Sequence, residues 1–175
     1  NDDSGCGSVI TQNSLAAGSY VLVVSTFGSS DPADGAYTLD IDVSNCATPM
    51  VYSSNATTQA SVADVCIGSQ DKEIIRVEVV TSGTLSPLDF TQIQFSMLGT
   101  TSIADVSNID IYYTGTTGTY SSIGLFGSVA PAGGTITLNG SQTLADGSNF
   151  FWVVYDVVAG ATPTNTLDAS GVQIT

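Results

Sequence analysis

The stretch GSNFFWVVYDV, residues 147–157, decides the fold class. A strand with one face in water alternates apolar and polar residues, yet six residues in a row from Phe150 onward are apolar or aromatic. We predict a central strand of a β-sandwich, with Trp152 in the core. The opposite face, which carries Phe151 and Tyr155, is then either covered by the first part of the chain or half exposed beneath long loops.

Short strands flank this stretch on both sides, separated by turn signals at roughly the 8–12-residue spacing of sandwiches and barrels. In LDFTQIQFSMLG the apolar positions change parity, from Leu88 and Phe90 to Ile93 and Phe95. A β-bulge at residues 91–92 would reconcile the two halves. No window has a helical period. The sequence therefore predicts an all-β chain of antiparallel β-sandwich type with essentially no helix.

The predicted organisation has three parts. Residues 1–47 read as three strands, too few for a two-layer core. Their missing strands come from upstream sequence or from a neighbouring molecule, unless the segment packs on the rest of the chain. Residues 48–59 read as an extended linker, with Pro49 near its start, and residues 60–175 as a β-sandwich. A chain that starts at Asn1 without a signal peptide is expected to be a piece of a longer secreted protein.

Charge narrows the possible partners. The net charge is −14, and Lys72 and Arg76 are the only cations. Binding to nucleic acid needs a basic footprint, so nucleic acid is excluded as a partner, and anionic membrane surfaces are disfavoured for the same reason. No apolar run is long enough to insert into a membrane.

Two loop-like stretches, NDDSG and SSDPADG, concentrate oxygen donors of the kind that calcium prefers. The candidate calcium ligands are Asp2, Asp3, Asp31 and Asp34. Neither stretch has the spacing of an EF-hand loop. The alternative is that these are solvated turn residues.

The three cysteines allow one disulfide. We predict a Cys6–Cys46 bond, because these residues bracket the strands of the first segment. The alternatives are a Cys46–Cys66 bond across the linker and three buried thiols.

Catalytic constellations are missing from the sequence. The chain has no His, which excludes Ser-His-Asp and Cys-His nucleophilic sites and zinc sites of the Cys/His type. Glu73 and Glu78 are the only Glu residues, and Glu78 belongs to the outer face of a strand. We therefore predict that the chain is not an enzyme.

Carbohydrate binding would need exposed aromatic rings. Tyr112, Tyr120 and Phe126 lie near predicted loops and could form a stacking platform for a sugar. The alternative is that the three rings pack in the core or at the edge of the sandwich.

Three stretches carry a resemblance to a known family: residues 69–95, residues 104–127 with YYTG and FG, and residues 140–170 with GSNFFWVVYD and NTLDA. From about residue 51 onward, the chain resembles the N-terminal domain of bacterial sialidases (BNR-repeat neuraminidases), which is reused in secreted proteins of the Bacteroidetes. The resemblance implies a β-sandwich without catalytic residues, with any catalysis in a different domain.

Residues 1–47 carry a second resemblance in NDDSGCGS, LAAGSYVLVVSTFG and DGAYTLDI. They are similar to the C-terminal half of a bacterial pre-peptidase C-terminal-type domain. Such domains are non-catalytic appendages and some bind calcium, which the resemblance assigns to Asp2 and Asp3.

The function expected from the sequence is structural. The chain reads as a non-catalytic spacer or adhesion module of a large secreted or cell-surface bacterial protein, including one that builds a filament. Its partners would be adjacent domains or identical subunits. The alternative is a carbohydrate-binding accessory module of a secreted glycosidase, with glycans as partners. Either way, the location is extracellular or at the cell surface.

Overall fold

The computed structural model describes residues 47–175, which form eight strands. They contain one turn of 3-10 helix, Ile103–Asp105, and no α-helix. The all-β prediction is therefore confirmed for this part of the chain. The strands are β1 (Val51–Gln59), β2 (Lys72–Ser82), β3 (Asp89–Ser96), β4 (Val106–Tyr113), β5 (Leu125–Val129), β6 (Thr135–Thr143), β7 (Gly147–Val157) and β8 (Ser170–Ile174).

The strands form two antiparallel sheets. The larger has the order β1-β2-β7-β4-β5 and the smaller the order β6-β3-β8. Alternate side chains of each sheet point between them and build one apolar core. Strands β5 and β6 contact each other and join the sheets along one side. The opposite side is bounded by the edge strands β1 and β8.

The predicted bulge in β3 is confirmed. The pairing of β3 with β6 shifts register between Phe90 and Gln92. This shift lets Phe90 and Ile93 both point into the core, at 2% and 0% exposure. Leu88, which the alternation placed with Phe90, precedes the strand and is 36% exposed.

Strand β7 is buried on both faces, but the predicted faces are reversed. Phe151 and Tyr155 point into the main core and are fully buried. Trp152 and Val154 lie on the outer face of the large sheet, in a separate apolar cluster. The register explains the exchange, because Phe151 pairs with the core residue Val77 of β2. The prediction of a half-exposed Phe151 is therefore wrong.

Within the described residues, the outer face of β7 is covered by the loop between β4 and β5. Tyr120 of that loop packs edge-on against Trp152 and Tyr112, with ring centroids 5.8 and 5.9 Å apart. The Arg76 guanidinium lies 5.3 Å from the centroid of the Phe150 ring and 5.8 Å from that of Trp152. Aromatic rings and a cation over them thus replace water on this face.

The predicted linker over residues 48–59 is wrong for most of its length. Val51–Gln59 form strand β1, which pairs antiparallel with β2 at the edge of the large sheet. All nine residues of β1 are exposed. Its Ser, Thr, Asn and Gln side chains are compatible both with a strand whose two faces are exposed to water and with an extended linker. Composition could not separate the two.

A substitution tests the reversed faces of β7. We expect Phe151→Ala to destabilise the fold by about 3–5 kcal/mol, because it empties a fully buried site. Phe151 stacks on Phe90 with ring centroids 4.0 Å apart, so the loss also removes that contact. The matched control is the half-buried neighbour Phe150. Phe150→Ala should cost clearly less in urea unfolding, and equal losses would contradict the assignment.

Candidate functional site

Three carboxylates meet on the outer face of the large sheet. Asp71 precedes β2, Asp110 lies in β4, and Asp156 lies near the end of β7. One carboxylate oxygen from each falls within 4.8 Å of the others, and all three side chains are half buried. Strands β7 and β4 are neighbours, which brings Asp156 opposite Asn108 and close to Asp110. We call this set the three-Asp cluster.

Hydrogen bonds orient the cluster. The Asp71 amide donates to Oδ1 of Asp156 at 2.8 Å. Asn108 Nδ2 donates to Oδ1 of Asp110 at 2.9 Å, and the Ser128 hydroxyl donates to the same oxygen. Asp71 has a positive φ of 52°, a conformation that Asp and Asn tolerate better than most residues. The backbone therefore places the first carboxylate beside the other two.

The cluster shapes the electrostatics of the adjacent aromatic rings. Burial, reinforced by the charges of Asp71, Asp110 and Asp156, raises the pKa of Tyr112 to about 12. The pKa of Tyr120 is also raised, first by burial and then by Asp71. Both phenols are thus held neutral beside concentrated negative charge. A hard cation would relieve this charge, since carboxylate oxygens with water in the remaining positions are the ligands that calcium takes.

The site residues predicted from sequence do not belong to this cluster. Asp2, Asp3, Asp31 and Asp34 lie outside the described residues, so the calcium prediction at those positions stays a prediction. The same holds for the predicted Cys6–Cys46 bond and for its Cys46–Cys66 alternative. Cys66 itself is exposed.

Sequence reasoning missed the three-Asp cluster because its members are far apart in the chain. The available signal was weak: Asp110 and Asp156 each interrupt an apolar strand at a position on the outer face. Only the pairing of β4 with β7 shows that these positions are close together.

Of the two interpretations of Tyr112, Tyr120 and Phe126, packing within the sandwich is confirmed and the stacking platform is not formed. Tyr112 and Tyr120 pack on the outer face of the large sheet, around Trp152. Phe126 packs between the sheets, edge-on to Phe90 and Phe151. The three rings therefore lie on opposite sides of the sheet, and the packing alternative describes them correctly.

A small pocket of about 340 Å³ lies beside the loop that follows β4. Its lining is largely hydroxyl-bearing, and Ile123, 81% exposed, stands at its border. Hydroxyl groups both donate and accept hydrogen bonds, so the pocket suits a neutral polar ligand better than an ion. The lining residues are Tyr113, Thr114, Thr117, Thr119, Ser121, Ile123 and Gly124.

The motif in β7 forms internal contacts. Asn149 is fully buried; its Oδ1 accepts from the Tyr113 hydroxyl at 2.7 Å, and its Nδ2 donates to the Ala145 carbonyl at 2.8 Å. Trp152 Nε1 donates to the Thr114 hydroxyl at 3.1 Å. These groups are therefore used to hold the sandwich together.

The comparison with protein families agrees with this architecture. Residues 53–124 match the family model for the N-terminal domain of BNR-repeat neuraminidase. The matched part runs from β1 through the loop that follows β4, so the resemblance to a sialidase-associated domain is confirmed over these residues. No curated protein matches the chain. The resemblance of residues 1–47 to a pre-peptidase C-terminal-type domain is not tested by these comparisons.

No helix among residues 47–175 is long and apolar enough to cross a membrane.

The repulsion among the three carboxylates of the three-Asp cluster can be measured as a change in the stability of the fold. We expect Asp71→Asn to stabilise the chain in the presence of chelator by about 1 kcal/mol or less, the size of a contact between like charges in a water-like medium. Asn keeps the backbone donor to Asp156 and tolerates the positive φ. Urea unfolding at low ionic strength is the measurement, and the gain should shrink in high salt. A loss of stability in chelator would contradict the repulsion.

Unfolding at alkaline pH tests the raised pKa of Tyr112, which lies beside the three-Asp cluster. The folded chain holds Tyr112 neutral up to a pKa of about 12, whereas an unfolded tyrosine ionises near its ordinary value of 10.0. The stability from this difference is complete below pH 10 and is lost as the pH rises from 10 towards 12. We expect Tyr112→Phe to unfold with a shallower pH dependence over that interval, as followed by urea unfolding. An unchanged dependence would show that Tyr112 ionises alike in both states.

Proposed function

We propose that the chain is a non-catalytic structural module of a larger secreted or cell-surface protein. The observation that carries the proposal is the use of the motif residues in internal contacts. The Asn149 amide and the Trp152 indole form hydrogen bonds within the sandwich, as does the Tyr155 hydroxyl with the Asp168 carbonyl at 3.1 Å. The β7 residues on which the sequence resemblance partly rested thus hold the sandwich together.

The titratable groups support a non-catalytic role. A glycosidase sets two carboxyl groups on either side of the scissile bond. The three-Asp cluster instead gathers three carboxylates at one point on a sheet face, beside the buried Tyr112. Since the chain contains no His, the usual general base at neutral pH is also missing.

The match to a neuraminidase N-terminal domain supports an accessory role beside a glycosidase-like partner domain. A low content of charged side chains and a net charge of −14 fit a surface made of Ser, Thr, Asn and Gln. We propose adjacent domains or identical subunits as partners, adhesion or filament building as the role, and the cell exterior as the location.

Calcium is part of this proposal. Its ligands would be either the predicted residues Asp2, Asp3, Asp31 and Asp34 or the three-Asp cluster. A rise in melting temperature on adding calcium that Asp71→Asn abolishes would assign the ion to the cluster. A rise that the variant retains would assign it elsewhere.

A carbohydrate-binding accessory module is the second candidate. Two observations favour it: the hydroxyl-lined pocket beside Tyr113 and the match to a neuraminidase domain. Against it, Tyr112 and Trp152 are 9% and 5% exposed, which leaves them little surface for stacking on a sugar.

Two assays on residues 1–175, each run with chelator and with calcium, test the proposal. We expect no hydrolysis of a fluorogenic sialoside or of a panel of aryl glycosides above the buffer rate, because the three-Asp cluster gathers its carboxylates at one point and not on either side of a bond. We also expect no reproducible binding on a glycan array. Turnover that Asp110→Asn abolishes would overturn the non-catalytic assignment. Binding to one sugar class that Ile123→Asp abolishes would favour the second candidate.

A further inference from the structure

The sandwich has a groove along its open side. Strands β5 and β6 close the opposite side by contacting each other. Between the edge strands β1 and β8 the structure has a groove of about 570 Å³, which we call the edge groove. Its lining residues are Tyr52, Asn55, Val79, Thr81, Leu88, Asp89, Phe90, Leu144, Val172, Gln173, Ile174 and Thr175.

The edge groove is largely apolar. Its floor consists of core residues, including Val79 and Phe90, at 1% and 2% exposure. Its rim includes Tyr52 and Leu88, which are 51% and 36% exposed. Apolar side chains placed in the groove would therefore bury apolar surface on both sides.

Strand β8 offers hydrogen-bonding groups along the groove. The Thr175 amide donates to the Gln92 carbonyl at 3.0 Å, and the Gln92 amide donates to the Thr175 carbonyl at 3.2 Å. In an antiparallel ladder the next residue points its amide and carbonyl the other way. The amide and carbonyl of Ile174 therefore face away from β3. In the described part of the chain no strand pairs with that edge, because the sheet order ends at β8.

The net charge of the molecule indicates which kind of partner the edge groove attracts. Among the described residues that line the groove, Asp89 is the only charged one. Arg76 is held over the rings of Phe150 and Trp152, on the outer face of the large sheet. The net charge of −14 attracts a basic segment to the edge groove, whereas an identical subunit would bring like charge to this groove and is less favoured there.

We propose that the edge groove binds an extended basic peptide segment by strand addition to β8. The segment has apolar side chains at alternate positions, which enter the groove, and Lys or Arg at the positions between them. Its backbone pairs with the amide and carbonyl of Ile174, which no strand among residues 47–175 engages. This inference does not depend on the proposed function, because it rests on the edge groove and on the net charge of the chain.

The probe is a labelled octapeptide of alternating Val and Lys, acetylated and amidated at its ends. Fluorescence anisotropy with residues 1–175 at low salt should show saturable binding. The same peptide with Glu in place of Lys should bind at least tenfold more weakly, because of its charge. A peptide of equal composition with Val and Lys in separate blocks should also bind at least tenfold more weakly, because it cannot place alternate apolar side chains in the groove.

Variants separate the edge groove from the rest of the acidic surface. Tyr52→Ser and Leu88→Ser remove exposed apolar groups from the rim and should each weaken binding by at least fivefold. The matched control is Leu98→Ser, which removes an apolar side chain that is 75% exposed and lies outside the groove. The control should leave binding unchanged. Because all three positions are exposed, these variants are expected to fold.

Backbone pairing has its own readout. Methylating the peptide amides of one parity should abolish binding, whereas methylating the other parity should leave it intact, because only one set faces β8. Protection of the Ile174 amide from hydrogen exchange on adding the peptide gives the same information.

Several outcomes would overturn the proposal. Equal binding of the alternating and block peptides would show adsorption to the acidic surface. Equal weakening by both methylation patterns would exclude strand addition, and unchanged binding in Tyr52→Ser and Leu88→Ser would exclude the groove. Absence of binding would overturn the proposal outright. A dimer in light scattering that Tyr52→Ser dissociates would assign the groove to a second copy of the chain.

Discussion

Strand β7 buries both of its faces, and most of the described structure follows from that constraint. It lies at the centre of the large sheet, between β2 and β4. Its inner face needs the small sheet, whose Phe90 stacks on Phe151. Its outer face needs the loop after β4, whose Tyr120 packs on Trp152. A strand with six consecutive apolar or aromatic residues can be stable in water only when two separate layers cover it.

Asn149 is the one polar side chain on the buried inner face of β7, and its hydrogen bonds explain why it is tolerated there. The side-chain oxygen of Asn149 accepts hydrogen bonds from the Tyr113 hydroxyl of β4 and from the backbone amide of Ala145, which precedes β7. Its side-chain nitrogen donates to the carbonyl of Ala145. An unsatisfied buried amide costs about 1–3 kcal/mol, so this position specifies one arrangement of β4, β7 and the preceding turn. Asn149 thus has a structural role in the sandwich.

Local patterns were predictable from the sequence, and pairings were not. The bulge in β3 follows from a change of parity within one strand, because side-chain direction alternates with every residue. The inward face of β7 could not be predicted, since both of its faces are apolar and neighbouring strands decide which one meets the core. Strand β1 lacks apolar alternation altogether. The three-Asp cluster depends on the pairing of β4 with β7 and on the turn before β2, which no local pattern contains.

The acidity of the chain and its open strand edges have a common physical consequence. Strand β1 contains neither a charged residue nor Pro, the usual means by which an edge strand avoids pairing with other chains. The net charge of −14 opposes such pairing at long range instead, because two copies of like charge repel each other before their edge strands can pair. Such repulsion acts over a Debye length of about 8 Å at physiological ionic strength and is weakened by added salt. It does not act against a basic strand. The composition that opposes edge-to-edge pairing of identical copies therefore leaves the edges of the sheets formed by residues 47–175 accessible to a partner of opposite charge.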